Sequence, residues 1–314
     1  MRVLFWGTPD FSTPALLALL GEGFDVVGVV TQPDKPVGRS RSTAQPPPVK
    51  LVAREEHVAV LQPERPRGSD FLAELRDLAP DISVVVAYGH ILPRDVIDLP
   101  RRGTINIHAS LLPALRGAAP IQAAIREGLQ RTGVTIMRMV PKLDAGPTIL
   151  QLTTDIVDDE TYGELALRLS ELGATALIES LALLELGKAR EVPQDDAQAT
   201  YAPKVDRAST RVNWNQDART VSRTIRAYDP RPGAFTTLAS QDVKLFGARL
   251  APRSESSAPG QVLSVGDDGL VVACAEGAVR IAQVQPSGKK RISASEWSRG
   301  RGIAVGAKFE LLSS

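Results

Sequence analysis

The chain has 314 residues, which corresponds to about two domains at roughly 100–200 residues each. Its 43% hydrophobic and 23% charged residues are ordinary for a globular protein and exclude a wholly disordered, collagenous or coiled-coil chain. The single cysteine, Cys274, excludes an intramolecular disulfide and a cysteine-rich zinc site, and three histidines leave little room for a histidine-rich metal site. Because neither a signal-peptide layout nor a membrane-length apolar run is found, we expect a cytoplasmic protein without a bound metal.

The first 190 residues alternate short apolar runs with helical patterns. The predicted strands are 3–6, 25–30, 82–87, 104–108 and 133–140, and the predicted helices are 14–20, 69–79, 120–127 and 161–186. Thr13 is expected to cap the first helix, with Pro14 at its first position. Five prolines within residues 33–48 predict a long loop without regular structure. The alternation predicts an α/β fold with an open, doubly wound sheet that has helices on both faces.

The pattern changes at about residue 187. A polar stretch over 189–208 predicts a linker, and a helix is expected near 216–228. Short strands are predicted at 233–239, 241–251, 260–265, 269–274, 277–284 and 305–312. We therefore predict a first domain over 1–188 and a second, smaller domain over 209–314 that forms a small β-barrel.

Charge is distributed unevenly along the chain. Residues 1–200 carry 20 basic and 26 acidic side chains, whereas residues 201–314 carry 17 basic and 10 acidic ones. This asymmetry suggests that the C-terminal part binds a polyanion, although a merely solvated basic surface would show the same excess.

The turn after the first strand argues against two common functions of α/β proteins. Residues 7–11 read GTPDF, so Gly7 is the only glycine where a dinucleotide fingerprint needs several, and Pro9 has no N–H to offer. The chain also has no phosphate-binding G-x-x-x-x-G-K-[ST] motif. Nicotinamide chemistry and nucleotide hydrolysis therefore lose support.

Three polar residues follow or end predicted strands, namely Asn106, His108 and Asp144. Asn106 and His108 are two residues apart on one strand, so their side chains share a face. An amide donor, an imidazole and a carboxylate that converge would suit acyl transfer to an amine, because Asn stabilises an oxyanion and His and Asp move protons. Taken alone, Asn106 and His108 would more often be structural residues.

The chain resembles the methionyl-tRNA formyltransferases from end to end, and several segments carry the resemblance. They are FWGTPDFS (5–12), VVAYGHILP (85–93), INIHASLLPALRGAAPIQ (105–122), GVTIM (133–137), LDAG (143–146), TYAPK (200–204) and QPSGKK (285–290). The resemblance implies a Rossmann-like catalytic domain joined to an OB-like tRNA-binding domain. It also implies transfer of a formyl group from 10-formyltetrahydrofolate to the α-amino group of methionyl initiator tRNA, by an enzyme with a monomer as the default state.

The same resemblance assigns roles residue by residue. Asn106, His108 and Asp144 match the family's catalytic residues. The positions that match folate-contacting segments are Tyr88, Gly89, His90, Ile91, Leu92, Ser110, Leu111, Leu112 and Pro113. Residues 33–49, with Arg39 and Arg41, match a loop that enters the acceptor-stem region of the tRNA. Ala109, Leu115 and Ala145 depart from the residues common in the family, but none of these changes removes a catalytic group.

Two clusters in the second domain are expected to contact tRNA phosphates. Arg219, Arg223 and Arg226 share one face of the predicted helix, opposite an apolar face formed by Val221, Ile225 and Tyr228. Lys289 and Lys290, followed by Arg291, form the second cluster in a predicted turn. Three further interpretations remain open: a formyltransferase acting on a small amine, a formyltetrahydrofolate hydrolase, and a non-catalytic RNA-binding protein.

Overall fold

The computed structural model describes residues 1–37, 43–252 and 257–312. They form two compact units. The first unit comprises Met1–Gly117, Thr132–Thr154 and Ala166–Ala202, and the second comprises Ala118–Arg131, Asp155–Leu165 and Pro203–Ser314. This division by compactness differs from the domain prediction, because residues 189–202 of the predicted linker belong to the first unit. The family-domain boundaries at 188 and 209 stay a prediction.

A seven-stranded sheet organises the first unit. The strands of residues 1–202 are β1 (Arg2–Gly7), β2 (Asp25–Val30), β3 (Lys35–Val37), β4 (Thr43–Gln45), β5 (Val60–Leu61), β6 (Ile82–Val86), β7 (Thr104–His108), β8 (Arg116–Gly117), β9 (Arg131–Arg138), β10 (Thr148–Asp155) and β11 (Tyr201–Ala202). The helices are α1 (Thr13–Gly21), α2 (Pro48–Glu55), α3 (Ser69–Asp77), α4 (Arg94–Ile97), α5 (Pro120–Glu127) and α6 (Tyr162–Glu185). The order across the sheet is β10-β9-β7-β6-β1-β2-β5.

Strands β5, β2, β1, β6 and β7 run parallel, and β9 runs antiparallel to β7. β2 lies on one side of β1 and β6 lies on the other. The chain first adds strands outward from β1 to β2 and β5, and then adds β6 and β7 in the opposite direction, so the strand order reverses at β1. Ligands of open α/β sheets bind beyond the carboxyl ends of the strands at such a reversal. The residues that follow β1, β6 and β7 therefore lie at the edge where a substrate site is expected.

Aromatic side chains form the core under this edge. Trp6 is fully buried, and its ring meets Phe71 and Tyr88 edge to face at centroid distances of 6.0 and 5.2 Å. Such aromatic pairs contribute about 0.5–1.5 kcal/mol each beyond burial of their area. The Trp6 indole N–H also donates to the Ser83 hydroxyl at 3.2 Å, so the buried polar atom is satisfied. This packing anchors the segment that follows β6.

Some details of the first unit differ from the sequence prediction. Residues 33–48 are partly regular, because β3 pairs antiparallel with β4 and α2 already begins at Pro48. The strand β10, at the edge of the sheet, was not predicted, because its residues are half-buried or exposed and form no apolar run. The N-cap of α1 is Ser12 rather than Thr13, and the Ser12 hydroxyl donates to the carbonyl oxygen of Val86 at 2.6 Å.

An antiparallel sheet organises the second unit. After α7 (Ala218–Ala227), its elements are β12 (Ala234–Leu238), β13 (Gln241–Ala251), β14 (Val262–Gly266), β15 (Gly269–Ala273), β16 (Ala278–Pro286), β17 (Ile292–Ser293) and α8 (Ala294–Arg299). The strand order is β12-β13-β16-β15-β14, with β17 beside β16. The fold class is confirmed: a Rossmann-like sheet is followed by a smaller antiparallel β structure.

The last predicted strand, 305–312, is wrong. The described part of this segment forms an isolated bridge between Lys308 and Gln261 and no strand. Gly306 has a φ of +86°, which turns the chain instead of extending it. The apolar residue of the segment, Phe309, is buried by stacking on Trp214 at a centroid distance of 5.5 Å.

No helix within residues 1–37, 43–252 and 257–312 is both long and apolar enough to cross a membrane.

Candidate active site

Strand β7 carries the first two predicted catalytic residues. Asn106 is half-buried and lies opposite Val85 of β6 and Met137 of β9, so the sheet fixes its backbone on both sides. His108, at the end of the strand, is 6% exposed. Alternate residues of a strand face the same side, as predicted for this pair.

The two nitrogens of the His108 ring have different partners. Nε2 lies 2.9 Å from the carbonyl oxygen of Leu115. A carbonyl can only accept, so Nε2 carries the proton in the neutral ring. Nδ1 is then the nitrogen that gains or loses a proton, and it lies 3.7 Å from Oδ2 of Asp144. The structure thus brings His108 and Asp144 together, as the sequence predicted.

Asp144 lies near His108 because a loop brings the chain back, and not because the preceding strand ends at that edge of the sheet. Because β9 runs antiparallel to β7, its last residue, Arg138, lies beside Ile105, and residues 139–147 lead back to His108. The Asp144 backbone adopts a left-handed φ of +45°, which aspartate tolerates better than most residues. Oδ2 of Asp144 also accepts the backbone N–H of Gly117 at 2.8 Å, so one carboxylate oxygen faces both the amide and the imidazole.

Two glycines make this close packing possible. A Cβ at Gly146 would lie 1.8 Å from the carbonyl oxygen of Arg138. A Cβ at Gly117, whose φ is +117°, would lie 2.6 Å from the carbonyl oxygen of Ala202. Both contacts are with main-chain atoms, so any larger residue would displace the backbone that holds Asp144.

The predicted folate segment that follows β7 is held by side-chain hydrogen bonds. The Thr135 hydroxyl donates to the carbonyl oxygen of Ser110 at 2.7 Å and accepts the N–H of Leu112 at 3.1 Å. Gln151 donates to the carbonyl oxygen of Leu112 at 2.7 Å. Ser110 and Leu112 are buried, whereas Leu111 and Pro113 are half-buried. The segment is therefore fixed by β9 and β10, with Leu111 and Pro113 the more accessible of its side chains.

The predicted folate segment that follows β6 divides into buried and exposed residues. Tyr88 and Leu92 are 1% and 3% exposed, and burial raises the pKa of Tyr88 to about 12, so the phenol stays neutral. The carbonyl oxygen of Tyr88 accepts hydrogen bonds from Thr8 and Gln32, each at 3.0 Å. Tyr88 and Leu92 thus belong to the core.

Gly89, His90 and Ile91 differ from these two residues in their exposure. All three residues are exposed, with Ile91 at 86%, and a Cβ at Gly89 would lie 2.4 Å from Nε2 of Gln32. In this arrangement His90 and Ile91 are the members of the segment best placed to meet a substrate with their side chains.

A network of polar side chains lies behind the Asp144 loop. The Arg116 side chain is fully buried, and its guanidinium donates to Oε1 of Gln194 through Nε at 3.1 Å and Nη2 at 2.8 Å. Nη1 donates to Asp196 at 2.8 Å, and Lys142 also contacts that carboxylate. Hydrogen bonds from Lys142 and Arg116 lower the pKa of Asp196, so this carboxylate remains charged near neutral pH.

Sequence comparisons identify the family of this chain. Residues 1–181 match the Formyl transferase family, and residues 204–302 match the family described as Formyl transferase, C-terminal domain. A methionyl-tRNA formyltransferase of Bacillus cytotoxicus is 43% identical over 310 residues, which are 98% of both chains. One of Geobacillus thermodenitrificans is 45% identical over 311 residues, 98% of this chain and 97% of its own. The chain belongs to the formyl transferase family.

Solved structures share the fold of this formyltransferase at low sequence identity. HypX from Aquifex aeolicus, in complex with tetrahydrofolic acid, is 22% identical with a TM-score of 0.68 over 94% of this chain and 46% of its own. An N-formyltransferase from Helicobacter canadensis, in complex with folinic acid and dTDP-3-aminofucose, is 16% identical with a TM-score of 0.68 over 91% and 100%. These likenesses show the fold alone.

The arginines predicted to contact tRNA differ in their surroundings within the second unit of the formyltransferase. Arg219 is exposed, whereas the guanidinium of Arg223 packs over Gly128. Arg226 is half-buried and donates to the carbonyl oxygen of Glu160 at 2.8 Å, and burial lowers its pKa. The opposite face of α7 is buried as predicted, at Val221, Ile225 and Tyr228.

The other predicted tRNA contacts are lysines and loop arginines. Lys289 and Lys290 are exposed after β16. Arg39 and Arg41 lie outside the described residues. Phosphate contact at each of these basic positions stays a prediction.

Sequence reasoning missed Gln194 in the formyltransferase site. It assigned residues 189–208 to a linker and gave none of their side chains a role. The nearby TYAPK segment, which resembles the family, was the one signal that this stretch is more than a connection. A contact between residues 194 and 116 depends on the tertiary fold and leaves no local pattern.

Proposed function

We propose that this formyltransferase transfers the formyl group of 10-formyltetrahydrofolate to the α-amino group of methionyl initiator tRNA, forming formylmethionyl-tRNA for translation initiation. The observation that carries the proposal is 43–45% identity to relatives named methionyl-tRNA formyltransferase over nearly all of both chains. The likeness includes the C-terminal domain, over residues 204–302. Translation initiation takes place in the cytoplasm, which is where the proposal puts the enzyme.

The nucleophile in this reaction is an amine, which must be neutral to attack. A free α-amino group has a pKa of about 7.7–8.0, and the neighbouring ester lowers it, so a substantial neutral fraction exists near pH 7. The nitrogen attacks the formyl carbon and forms a tetrahedral intermediate with a negatively charged oxygen. Catalysis therefore depends more on hydrogen-bond donors to that oxygen than on a strong base that deprotonates the amine.

Asn106 is the proposed donor to the tetrahedral oxyanion. Its amide extends from a strand that is paired on both sides, so the backbone that carries the donor is fixed before the charge develops. Donors that need no reorganisation are effective, and removal of one typically raises the barrier by about 2.7–4 kcal/mol.

His108 and Asp144 are proposed to accept and donate the protons that move during the reaction. Because Nε2 of His108 faces the Leu115 carbonyl, Nδ1 is the ring atom available for exchange, and it faces Asp144. The attacking nitrogen loses a proton to Asp144, directly or through water. N10 of the folate leaves with the electron pair of the broken C–N bond and gains a proton from His108 or a water held near Asp144. One C–N bond forms, one breaks, and the proton count balances.

The folate donor is proposed to lie at the carboxyl edge of the sheet. Ile91 offers an apolar exposed side chain there, which suits contact with a flat ring, and the 110–113 segment that follows β7 is held rigidly by its hydrogen bonds. The tRNA is proposed to contact the basic C-terminal part, and the working unit is proposed to be a monomer.

The experiment that tests the function measures tetrahydrofolate release from 10-formyltetrahydrofolate in four parallel reactions. They contain methionine-charged initiator tRNA, the same tRNA uncharged, a nucleotide-linked amino sugar, or no acceptor. Release that requires the charged tRNA, with formyl recovered on methionine, is the expected result. Release without an acceptor would indicate a hydrolase, and release with the amino sugar alone would indicate a small-amine enzyme.

A further inference from the structure

The Gln194 side chain uses both ends of its amide. Its Oε1 accepts two N–H groups of Arg116, and its Nε2 donates to the carbonyl oxygens of Asp144 at 2.9 Å and Gly146 at 2.7 Å. The carbonyl side of the amide must face the guanidinium, because arginine has no acceptor. The donor side must face the two main-chain oxygens. Glutamine is therefore the one acidic or amide side chain of this length that satisfies both.

Arg116, which Gln194 binds, lies in the segment that holds His108 and Asp144. The segment 115–117 provides the Leu115 carbonyl that fixes His108 and the Gly117 N–H that fixes Asp144. Residues 115–117 also pair with the end of the stretch 189–202. β8 and β11 form a parallel pair, and the Thr200 hydroxyl accepts the N–H of Leu115 at 2.8 Å. Gln194 joins this segment, through Arg116, to the loop that carries Asp144.

We propose that Gln194 is a positioning residue for formyl transfer, which sets the Asp144 carboxylate against His108 by tying the 144–146 main chain to buried Arg116. The inference rests on the proposed function for its catalytic consequence and on geometry alone for its structural one. It gives the stretch 189–202, which the sequence assigned to a linker, a part in organising the reaction centre.

The substitution Gln194→Glu separates this role from simple packing. Glutamate has nearly the same shape and keeps the acceptor for Arg116, now with a favourable charge. It cannot donate to the carbonyl oxygens of Asp144 and Gly146, and its negative charge repels them. The matched control is Gln198→Glu, which makes the same chemical change at an exposed glutamine whose side chain bonds to Asp195 within the same stretch.

The first readout is independent of any substrate. Hydrogen–deuterium exchange followed by mass spectrometry should show faster exchange in peptides that cover 115–118 and 144–147 of Gln194→Glu, with β7 unchanged. Gln198→Glu should match the wild type in all of these peptides. Unchanged exchange at 115–118 and 144–147 would overturn the proposal, whatever the natural substrate is.

The second readout is the split between kcat and KM for formyl transfer to charged initiator tRNA. Displacement of a catalytic group by about 1 Å is enough to lower a rate by about 100-fold, so we expect kcat of Gln194→Glu to fall about 10–100-fold. The KM for 10-formyltetrahydrofolate should stay within about twofold, because the predicted folate segments are held by other residues. A kcat close to that of the wild type would contradict the positioning role.

A double-substitution cycle distinguishes action through Asp144 from general weakening of the fold. In an Asp144→Asn background, measured by single turnover at high enzyme concentration, Gln194→Glu should have little further effect on the rate. An equal fold-change in both backgrounds would indicate a merely structural residue and would overturn the proposal. If Gln194→Glu does not fold, Gln194→Met, which keeps the length and adds no charge, replaces it in all three measurements.

A wild-type enzyme that leaves charged initiator tRNA unmodified would contradict the proposed function. The positioning inference would then be decided by hydrogen–deuterium exchange alone.

Discussion

The candidate active site in the first unit and the basic positions in the second unit are built in opposite ways. In the first, the polar groups of His108 and Asp144 are bound to main-chain atoms of the 115–117 segment. In the second, Lys289 and Lys290 are exposed. Acyl transfer needs groups at fixed positions, whereas attraction to phosphates needs charge and tolerates movement. Substitutions should therefore have large effects on rate in the first region and smaller, salt-dependent effects on binding in the second.

The largest effect is expected for Asp144→Asn, which tests the fixed region most directly. The amide keeps an acceptor for the Gly117 N–H but can neither take a proton nor pair with a charged imidazole. We expect kcat to fall by about 10²–10⁴-fold, the usual contribution of a positioned acid or base. Folate binding, measured by fluorescence titration, should be retained. Turnover like that of the wild type would remove Asp144 from the mechanism.

A somewhat smaller effect is expected for Asn106→Ala. Removal of one oxyanion donor should lower kcat by about 10²–10³-fold, or about 2.7–4 kcal/mol. The melting temperature should change little, because the side chain is half-buried and strand pairing is unaffected. Single-turnover formyl transfer is the measurement, with Asn215→Ala, an exposed asparagine of the second unit, as the control. A change confined to KM would indicate a binding role instead.

The basic region should respond differently, and the double variant Lys289→Ala/Lys290→Ala tests this. The affinity for charged tRNA should fall while kcat at saturating tRNA stays the same. The slope of log affinity against log salt concentration should become shallower by about 0.7–0.9 for each phosphate that the variant no longer neutralises. Lys188→Ala, an exposed lysine of the first unit, serves as the control. An unchanged slope would favour the alternative of a merely solvated surface.

The smallest effect is expected at the start of α7, which presents the basic face. Asp217 caps this helix by accepting the Thr220 N–H at 3.1 Å and the Thr220 hydroxyl at 2.6 Å. Asp217→Ala should lower the free energy of unfolding by about 1 kcal/mol, measured by urea denaturation.

The effect of Asp217→Ala should depend on pH. The hydrogen bonds from Thr220 lower the pKa of Asp217 in the folded state. The charged cap therefore stabilises fully above the unfolded carboxyl pKa of about 3.9, and the difference between wild type and variant should shrink as pH falls through the lower folded value. A difference that grows with acid would show that this carboxylate does not act as the cap.

Sequence patterns predicted the parts of the molecule that depend on local order. The apolar run that forms β6 and the alternation around Asn106 and His108 are local, so the central strands and two catalytic candidates could be located. The site prediction also named Asp144, but the antiparallel direction of β9 and the loop that compensates for it were not predictable. Gln194 could not be found, because its four hydrogen bonds join positions about 50 and 78 residues away.

The errors have a common physical cause. The predicted strand 305–312 contains apolar residues, and Phe309 among them is buried with its ring stacked on Trp214, although the described part of the segment forms no strand. The pattern showed that the segment contains an apolar side chain that is buried, but it did not show the residue against which that side chain packs. Likewise, the polar composition of 189–202 hid hydrogen bonds that form only once β8 and β11 meet.

The pairing of β8 with β11 sets a minimum length for an active catalytic fragment. A chain that ended at residue 188 would contain Asn106, His108 and Asp144 yet lack Gln194 and Thr200, and Arg116 would be a buried cation stripped of its partners. Such a fragment should expose that cation or collapse around it, whereas one that ended just after Ala202 would retain these hydrogen bonds. Proteolysis within 189–202 should then abolish activity although Asn106, His108 and Asp144 all remain in the chain.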